Sequence, residues 1–279
     1  MKIIESILIT EAVRNACIEA NLDLPADVRD CIRAARERES WPQARDTLDR
    51  IIENFEIASR RRSPVCQDTG MVCVFVELGN EVHIEGNLED AVNEGVRRGY
   101  TEGWLRKSVV ADPLDRKNTG DNTPAMLYVE FTGGDRITVT VAPKGFGSEN
   151  KSRLKMLRPS DGVEGVTGFV LETVERAGAD PCPPIVVGIG IGGTFDKAAF
   201  LAKKALLRPL GSRHKQKYYA ELEAFLLEKI NALGIGPQGF GGAATALGVM
   251  IEILPTHIAG LPCAVNINCH AARHVKVVL

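Results

Sequence analysis

Three cysteines sit where neither a helix nor a strand can run undisturbed. Cys66 lies in Ser63-Pro64-Val65-Cys66-Gln67-Asp68-Thr69-Gly70, Cys182 in Asp180-Pro181-Cys182-Pro183-Pro184, and Cys269 in Asn266-Ile267-Asn268-Cys269-His270-Ala271-Ala272-Arg273-His274. Proline, glycine and short polar residues interrupt backbone ladders and favour turns. Each cysteine is therefore expected on a loop, where a thiolate can point into a cavity. A fold for this chain must present three such loops, distant in sequence, and they could converge on one site.

The other four cysteines read differently. Cys17 falls in the helix-like run Ala12–Ile18, Cys31 in a second amphipathic run, Cys73 in the apolar strand Met71–Val76, and Cys263 opens another apolar run. Such cysteines are small buried hydrophobes. Seven cysteines is an odd number, and 279 residues can build a packed core without disulfides. In a reducing compartment the default uses of thiols are reduced side chains, metal ligands or catalysis.

Composition narrows the function classes. The chain is 44% hydrophobic and 25% charged, with a net charge of −2, as in a globular protein. That balance argues against nucleic acid as the main partner, and Arg60-Arg61-Arg62 reads as a solvated helix end. The opening Met1-Lys2-Ile3-Ile4-Glu5 carries charge too early for a secretory signal. No apolar run approaches the roughly 20 residues that span a bilayer; the best, Ala243 to Leu254, is broken by Glu252. The expected location is cytoplasmic, without a membrane partner.

Helical spacing marks Ile7–Ile18, Val28–Ala35 and Leu48–Ile57, so residues 1–60 are expected as a helical segment packed on the rest. A strand is expected at 71–78, a helix at 88–98 and a polar loop at 111–124. Alternating residues at 126–131 and 136–142 flank Gly133-Gly134-Asp135 and predict a hairpin. Helices are expected at 161–177, 195–207, 216–232 and 243–251, with short strands at 185–188, 254–258 and 264–267. No internal repeat appears. The order is not a regular βαβ alternation, so the expected class is α+β, an irregular α/β arrangement with mixed sheets, in a single domain spanning 1–279.

Gly188-Ile189-Gly190-Ile191-Gly192-Gly193 satisfies G-x-G-x-x-G between a strand and a helix. The acidic residue expected about 20 positions later in a dinucleotide site is missing; that stretch reads Gly211-Ser212-Arg213-His214-Lys215. A tight turn with close backbone approach is the favoured reading, and a nucleotide-dependent oxidoreductase a minor alternative.

The long separations of Cys66, Cys182 and Cys269 fit neither a zinc ribbon nor a ferredoxin-type run. Gln67 and Asp68 follow Cys66; His270, Arg273 and His274 follow Cys269; His257 precedes Cys269 by twelve residues. The residues alone leave two readings open, a metal site with acid–base groups or structural cysteines.

Five segments carry a more specific resemblance: Pro64-Val65-Cys66-Gln67-Asp68-Thr69-Gly70, Gly147-Ser148-Glu149-Asn150-Lys151, Cys182-Pro183-Pro184, Gly236-Pro237-Gln238-Gly239-Phe240-Gly241-Gly242 and Asn268-Cys269-His270-Ala271. In order and over essentially the whole chain, they resemble the iron–sulfur hydro-lyases, the class I fumarases and L-tartrate dehydratases. The length is similar to the separate α subunit of the two-subunit form. The resemblance implies a [4Fe–4S] cluster held by Cys66, Cys182 and Cys269, with one iron left to substrate. It implies reversible hydration of a dicarboxylate, fumarate to (S)-malate, with tartrate dehydration to oxaloacetate as the alternative.

The resemblance further implies Asp68 as general acid, His257 as an active-site histidine and Arg106 as a substrate-carboxylate ligand, a role suited to a guanidinium fork. Gln67 and the backbone at Gly147 are weaker candidates for substrate binding, and His270 for orienting the Cys269 loop. In fused relatives the remaining site residues lie in a second domain, so a separate β subunit, an α₂β₂ assembly and oxygen sensitivity are expected. The reading from another class is a non-catalytic iron–sulfur binding module. It would explain the cysteines but not the set of Asp68, Arg106 and His257.

Overall fold

The computed structural model describes residues 1–279. Its elements run β1 (Lys2–Glu5), α1 (Ser6–Leu22), α2 (Ala26–Arg38), α3 (Pro42–Arg61), β2 (Met71–Gly79), β3 (Val82–Glu85), α4 (Leu88–Glu102), β4 (Met126–Thr132), β5 (Ile137–Lys144), α5 (Phe146–Glu149), β6 (Arg153–Leu157), α6 (Gly162–Ala177), β7 (Ile185–Gly192), α7 (Phe195–Ala205), α8 (Lys217–Asn231), β8 (Ala246–Leu254), β9 (Leu261–Asn268) and β10 (Val275–Val278). The class is α+β, as the element order in the sequence implied. No helix is long and apolar enough to cross a membrane.

The chain forms two compact units. One comprises Met1–Pro25, Asn54–Phe146 and Arg273–Leu279; the other comprises Ala26–Glu53 and Gly147–Ala272. The helical N-terminal segment is thus shared: α1 belongs to the first unit, α2 to the second, and the division falls within α3.

In the first unit the sheet order is β10-β5-β2-β4. The helix α4 starts where Asn87 accepts hydrogen bonds from the Glu89 and Asp90 amides at 2.8 and 3.1 Å, with those two acids placed at the positive end of the helix dipole. Its apolar stripe, Val92, Val96 and Tyr100, joins Val13 and Cys17 of α1 and Val74, Val76, Val139 and Val141 of the sheet in one core. The hairpin expected at 126–142 does not form. β2 lies between the two strands, parallel to β4 and antiparallel to β5. β2 is the most continuously apolar of the three and takes the central position, where both faces are covered. The Gly133-Gly134 turn instead receives a bond from Glu81 N to Gly134 O at 3.0 Å.

In the second unit the order is β6-β9-β7-β8, with β7 parallel to β8 and antiparallel to β9. Side chains alternate across β7. Ile185, Val187 and Ile189 pack with Phe169, Val170, Leu226 and Ile230 of α6 and α8. The opposite face carries the glycines. A Cβ on Gly188 would lie 2.1 Å from Ala202 O, and one on Gly190 would lie 2.1 Å from Ala198 O, both on α7. The close backbone approach expected of G-x-G-x-x-G is therefore real, but its first glycines lie within a strand, and only Gly192 and Gly193 (φ +90° and +66°) turn the chain into α7. Gly190→Ala is expected to destabilise the fold by about 1–3 kcal/mol through overpacking. A shift in the urea midpoint checks this; an unchanged midpoint contradicts it.

The helix expected at 243–251 is instead strand β8. A strand buried on both faces shows no alternation and resembles a buried helix in sequence. The β-branched Val249, Ile251 and Ile253 fit the pleated ladder with β7. The strand expected at 254–258 is likewise corrected. Pro255 ends the ladder, and a turn closes with Gly260 N donating to His257 O at 2.9 Å.

Candidate active site

In the first unit, Cys66, Gln67 and Asp68 lie on the loop between α3 and β2, and this loop is pinned from several directions. Asp68 Oδ1 accepts Gly70 N at 3.0 Å, and Oδ2 accepts Phe146 N at 2.9 Å. Asp68 O accepts the Arg273 guanidinium at 2.6 Å. Gly70 O accepts Tyr100 Oη at 3.0 Å and Asn122 Nδ2 at 3.1 Å, while Tyr100 Oη also donates to Thr69 O. Burial pushes the Tyr100 phenol well above its usual range, so it stays a donor. The Cys66 sulfur accepts Asp68 N at 3.4 Å and lies 3.4 Å from Gln67 Oε1. An N–H aimed at sulfur tunes any iron bound to it.

The same loop is joined to Arg106. Thr69 Oγ1 donates to Arg106 O at 2.8 Å, and Asn122 Oδ1 accepts Ser108 N at 2.7 Å. The Arg106 side chain is exposed. The first unit therefore brings the proposed acid, the proposed carboxylate-binding arginine and one thiol onto two mutually anchored loops.

In the second unit, Cys182 is exposed and Cys269 half-buried. The two loops meet at His270. Its amide donates to Cys182 O at 3.3 Å, and its Nδ1 lies 2.9 Å from the same oxygen. Gly147 is the second residue of α5 and is exposed; a Cβ there would meet nothing closer than Asp180 O at 3.8 Å. Two residues on, Glu149 accepts Lys203 Nζ at 2.5 Å and Asn266 Nδ2 at 2.8 Å, tying α7 and β9 to the motif.

His257 occupies the turn after β8, exposed, with Nδ1 accepting Ala259 N at 3.2 Å. That bond places the proton of the neutral ring on Nε2. The ring borders a cavity of about 380 Å³ lined also by Val163, Tyr218, Tyr219 and Ile258.

No three His, Cys, Asp or Glu side chains form a group that would hold a metal ion. The donor chemistry of the loop thiols nevertheless suits a thiophilic group. The three loop sulfurs are exposed or half-buried, and one already accepts a backbone N–H. Among the remaining cysteines, Cys17, Cys73 and Cys263 are buried as expected, whereas Cys31, expected buried, is half-buried at the surface of its amphipathic helix. The sequence reading missed Tyr100, Asn122 and Gln238. Asn122 lay within the polar loop at 111–124 and Gln238 within the glycine-rich segment, but nothing local pointed to their partners.

The loops of this α+β chain carry a thiol, an anchored carboxylate and an exposed arginine. The profile of the family described as Fumarate hydratase (Fumerase) matches residues 10–278, and the chain belongs to that family. A protein of Methanocaldococcus jannaschii provisionally named L(+)-tartrate dehydratase subunit alpha is 48% identical over 273 residues, 95% of each chain. The L(+)-tartrate dehydratase subunit alpha of Escherichia coli (strain K12) is 35% identical over 269 residues, 95% of this chain and 88% of that protein. That of Shigella sonnei (strain Ss046) is similar to the same extent. The resemblance seen in the five motifs thus holds at the level of the family.

Proposed function

We propose that residues 1–279 form a hydro-lyase α domain that adds water to, or removes it from, a four-carbon dicarboxylate. The observation that carries this reading is the Thr69–Arg106 bond, which holds the backbone of a carboxylate-binding candidate beside the loop of Asp68 and Cys66. Cys66, Cys182 and Cys269 would hold a [4Fe–4S] cluster as thiolates. When bound, it supplies a Lewis-acidic iron for the hydroxyl oxygen.

The chain's own residues bind substrate and supply a proton to the leaving hydroxyl, while the base that takes the carbon-bound proton comes from the partner subunit. Asp68 delivers the proton as the hydroxyl departs, held by two backbone amides that fix its direction. Arg106 binds a substrate carboxylate with two parallel N–H groups. Gln67, exposed beside Cys66, donates its amide to the same substrate, and Gly147 offers close backbone approach. His257, whose Nδ1 accepts Ala259 N, presents Nε2 as a donor. Two backbone amides and Arg273 leave the Asp68 loop little room to reorganise, and such preorganisation lowers the barrier.

The relatives are named as alpha subunits, which supports a separate partner subunit here; a β subunit in an α₂β₂ assembly is the proposed form. Hydration of fumarate to (S)-malate is the leading reading, on the family description. Dehydration of L(+)-tartrate to oxaloacetate is the second, favoured by the relatives' names.

The test is anaerobic assay of the iron-reconstituted chain, with and without its partner subunit, on fumarate and L(+)-tartrate. Malate formed only with the partner supports the first reading. Oxaloacetate from tartrate under the same condition selects the second. No turnover of either by the reconstituted complex would defeat the hydro-lyase assignment. Exposure of the reconstituted complex to air is expected to abolish turnover.

A further inference from the structure

Two residues that are not glycine adopt the left-handed backbone region in the second unit, and they meet. Cys182 has φ 56° and Gln238 φ 53°. Side chains disfavour this region, so such conformations persist only where surrounding bonds over-determine them. Here those bonds are in place. Pro183 O accepts both Gln238 N at 2.8 Å and Gln238 Nε2 at 2.9 Å. The preceding carbonyl, Cys182 O, accepts His270 N at 3.3 Å and has His270 Nδ1 at 2.9 Å. A carbonyl oxygen only accepts, so His270 donates to Cys182 O in the tautomer that carries its proton on Nδ1. Gln238 Nε2 lies 3.2 Å from that Nδ1. Two side-chain donors thus close side by side on two consecutive carbonyls, one from the glycine-rich Gly236–Gly242 segment and one from the residue after Cys269.

We infer that Gln238, acting with His270, is a positioning residue that fixes the Cys182 thiol relative to the Cys269 loop. The inference rests on the proposed ligand roles of both cysteines for its purpose, but its geometry belongs to this chain alone. Cys182 is flanked by Pro181 and Pro183, and Pro184 follows, so prolines on both sides leave this segment few N–H groups with which to secure itself. Its own anchor is Cys182 N donating to Ala179 O at 3.0 Å. Beyond Cys182 the segment is held by acceptance, and Gln238 and His270 are the donors. Without the Gln238 amide, the Pro183 carbonyl loses one donor and the thiol's direction is no longer set against Cys269.

The backbone strain at Gln238 gives a test that separates positioning from general stability. Gln238→Gly removes the side-chain donor but relieves the left-handed backbone, so its melting temperature should equal or exceed that of the unaltered chain. Gln238→Glu keeps the size and the backbone N–H while losing the side-chain donor. The full chain, before any iron is added, is treated with dibromobimane, which fluoresces when it bridges two neighbouring thiols, and the Cys182–Cys269 product is located by peptide mapping. The unaltered chain should bridge this pair, and both variants should bridge it about tenfold more slowly or worse, as a displacement near 1 Å would produce.

Equal bridging in the variants, absence of bridging in the unaltered chain, or slower bridging that only tracks a lowered melting temperature would each overturn the inference. Iron uptake is measured separately. If Cys182→Ser and Cys269→Ser chains take up iron like the unaltered chain, the ligand assignment fails, whatever the bridging result.

Discussion

Asp68→Asn is expected to leave the chain folded while lowering kcat for the dicarboxylate reaction by about 10²–10⁴-fold, the range for loss of a positioned proton donor. The geometry separates the structural and chemical parts of that loss. Asparagine can keep an oxygen toward Gly70 N, now 3.0 Å from Asp68 Oδ1. Its amide nitrogen then faces Phe146 N, which now donates to Oδ2 at 2.9 Å. Two donors cannot bond, so the variant leaves one backbone N–H without its partner, at a cost of about 1–3 kcal/mol. Arg273 donates to the Asp68 main-chain oxygen, which the substitution retains. The loop should therefore stay in place with reduced stability, and KM should change far less than kcat. The measurement is steady-state kinetics of the reconstituted complex beside a denaturation curve of the variant. A kcat close to that of the unaltered enzyme would remove Asp68 from the chemistry and leave it a turn residue.

What was legible in the sequence depended on how local its cause was. The helices α1, α4, α6, α7 and α8 show their periodicity within their own residues and appear where it placed them. Cys66 and Asp68 were legible because proline and glycine beside them define a loop whatever surrounds it. Strand β8 was misread because burial on both faces erases alternation, and only its pairing with β7 decides its state. The hairpin was misread because adjacency in sequence was weighed without β2, whose greater burial wins the centre of the sheet. The short strands β1, β3 and β10 escaped notice because four residues carry too little pattern without a partner strand. The supports of the site were hidden for the same reason. Tyr100 and Asn122 hold Gly70 O from 30 and 52 residues away, and neither has a local signature. Gln238 stood inside a motif, yet its role needs the Pro183 carbonyl, 55 residues off.

Five of the seven cysteines should divide into two sets with opposite phenotypes under serine substitution. Cys66→Ser, Cys182→Ser and Cys269→Ser are each expected to lose most of the iron that the reconstituted chain retains, with stability changed by no more than about 0.5 kcal/mol, because these positions are exposed or half-buried. Cys17→Ser and Cys263→Ser should retain the iron and lose about 1–3 kcal/mol, the cost of a buried hydroxyl without a partner. The physical difference is already present in the thiols. Burial alone pushes the Cys263 thiol up to about 12 and Cys17 higher still. Both therefore remain protonated at neutral pH, and it is the thiolate that ligates iron. Cys17 lies in the core with Val13 and Val96, and Cys263 with Val265 and Ile189, so serine there exchanges an apolar contact for an unmet hydrogen-bonding group. Iron analysis and visible absorbance of each variant, set beside its urea midpoint, check both halves. Full iron retention by any one loop variant would remove that residue from the ligand set. Loss of iron by a folded Cys17 or Cys263 variant would mean that exposure does not mark the ligands in this chain.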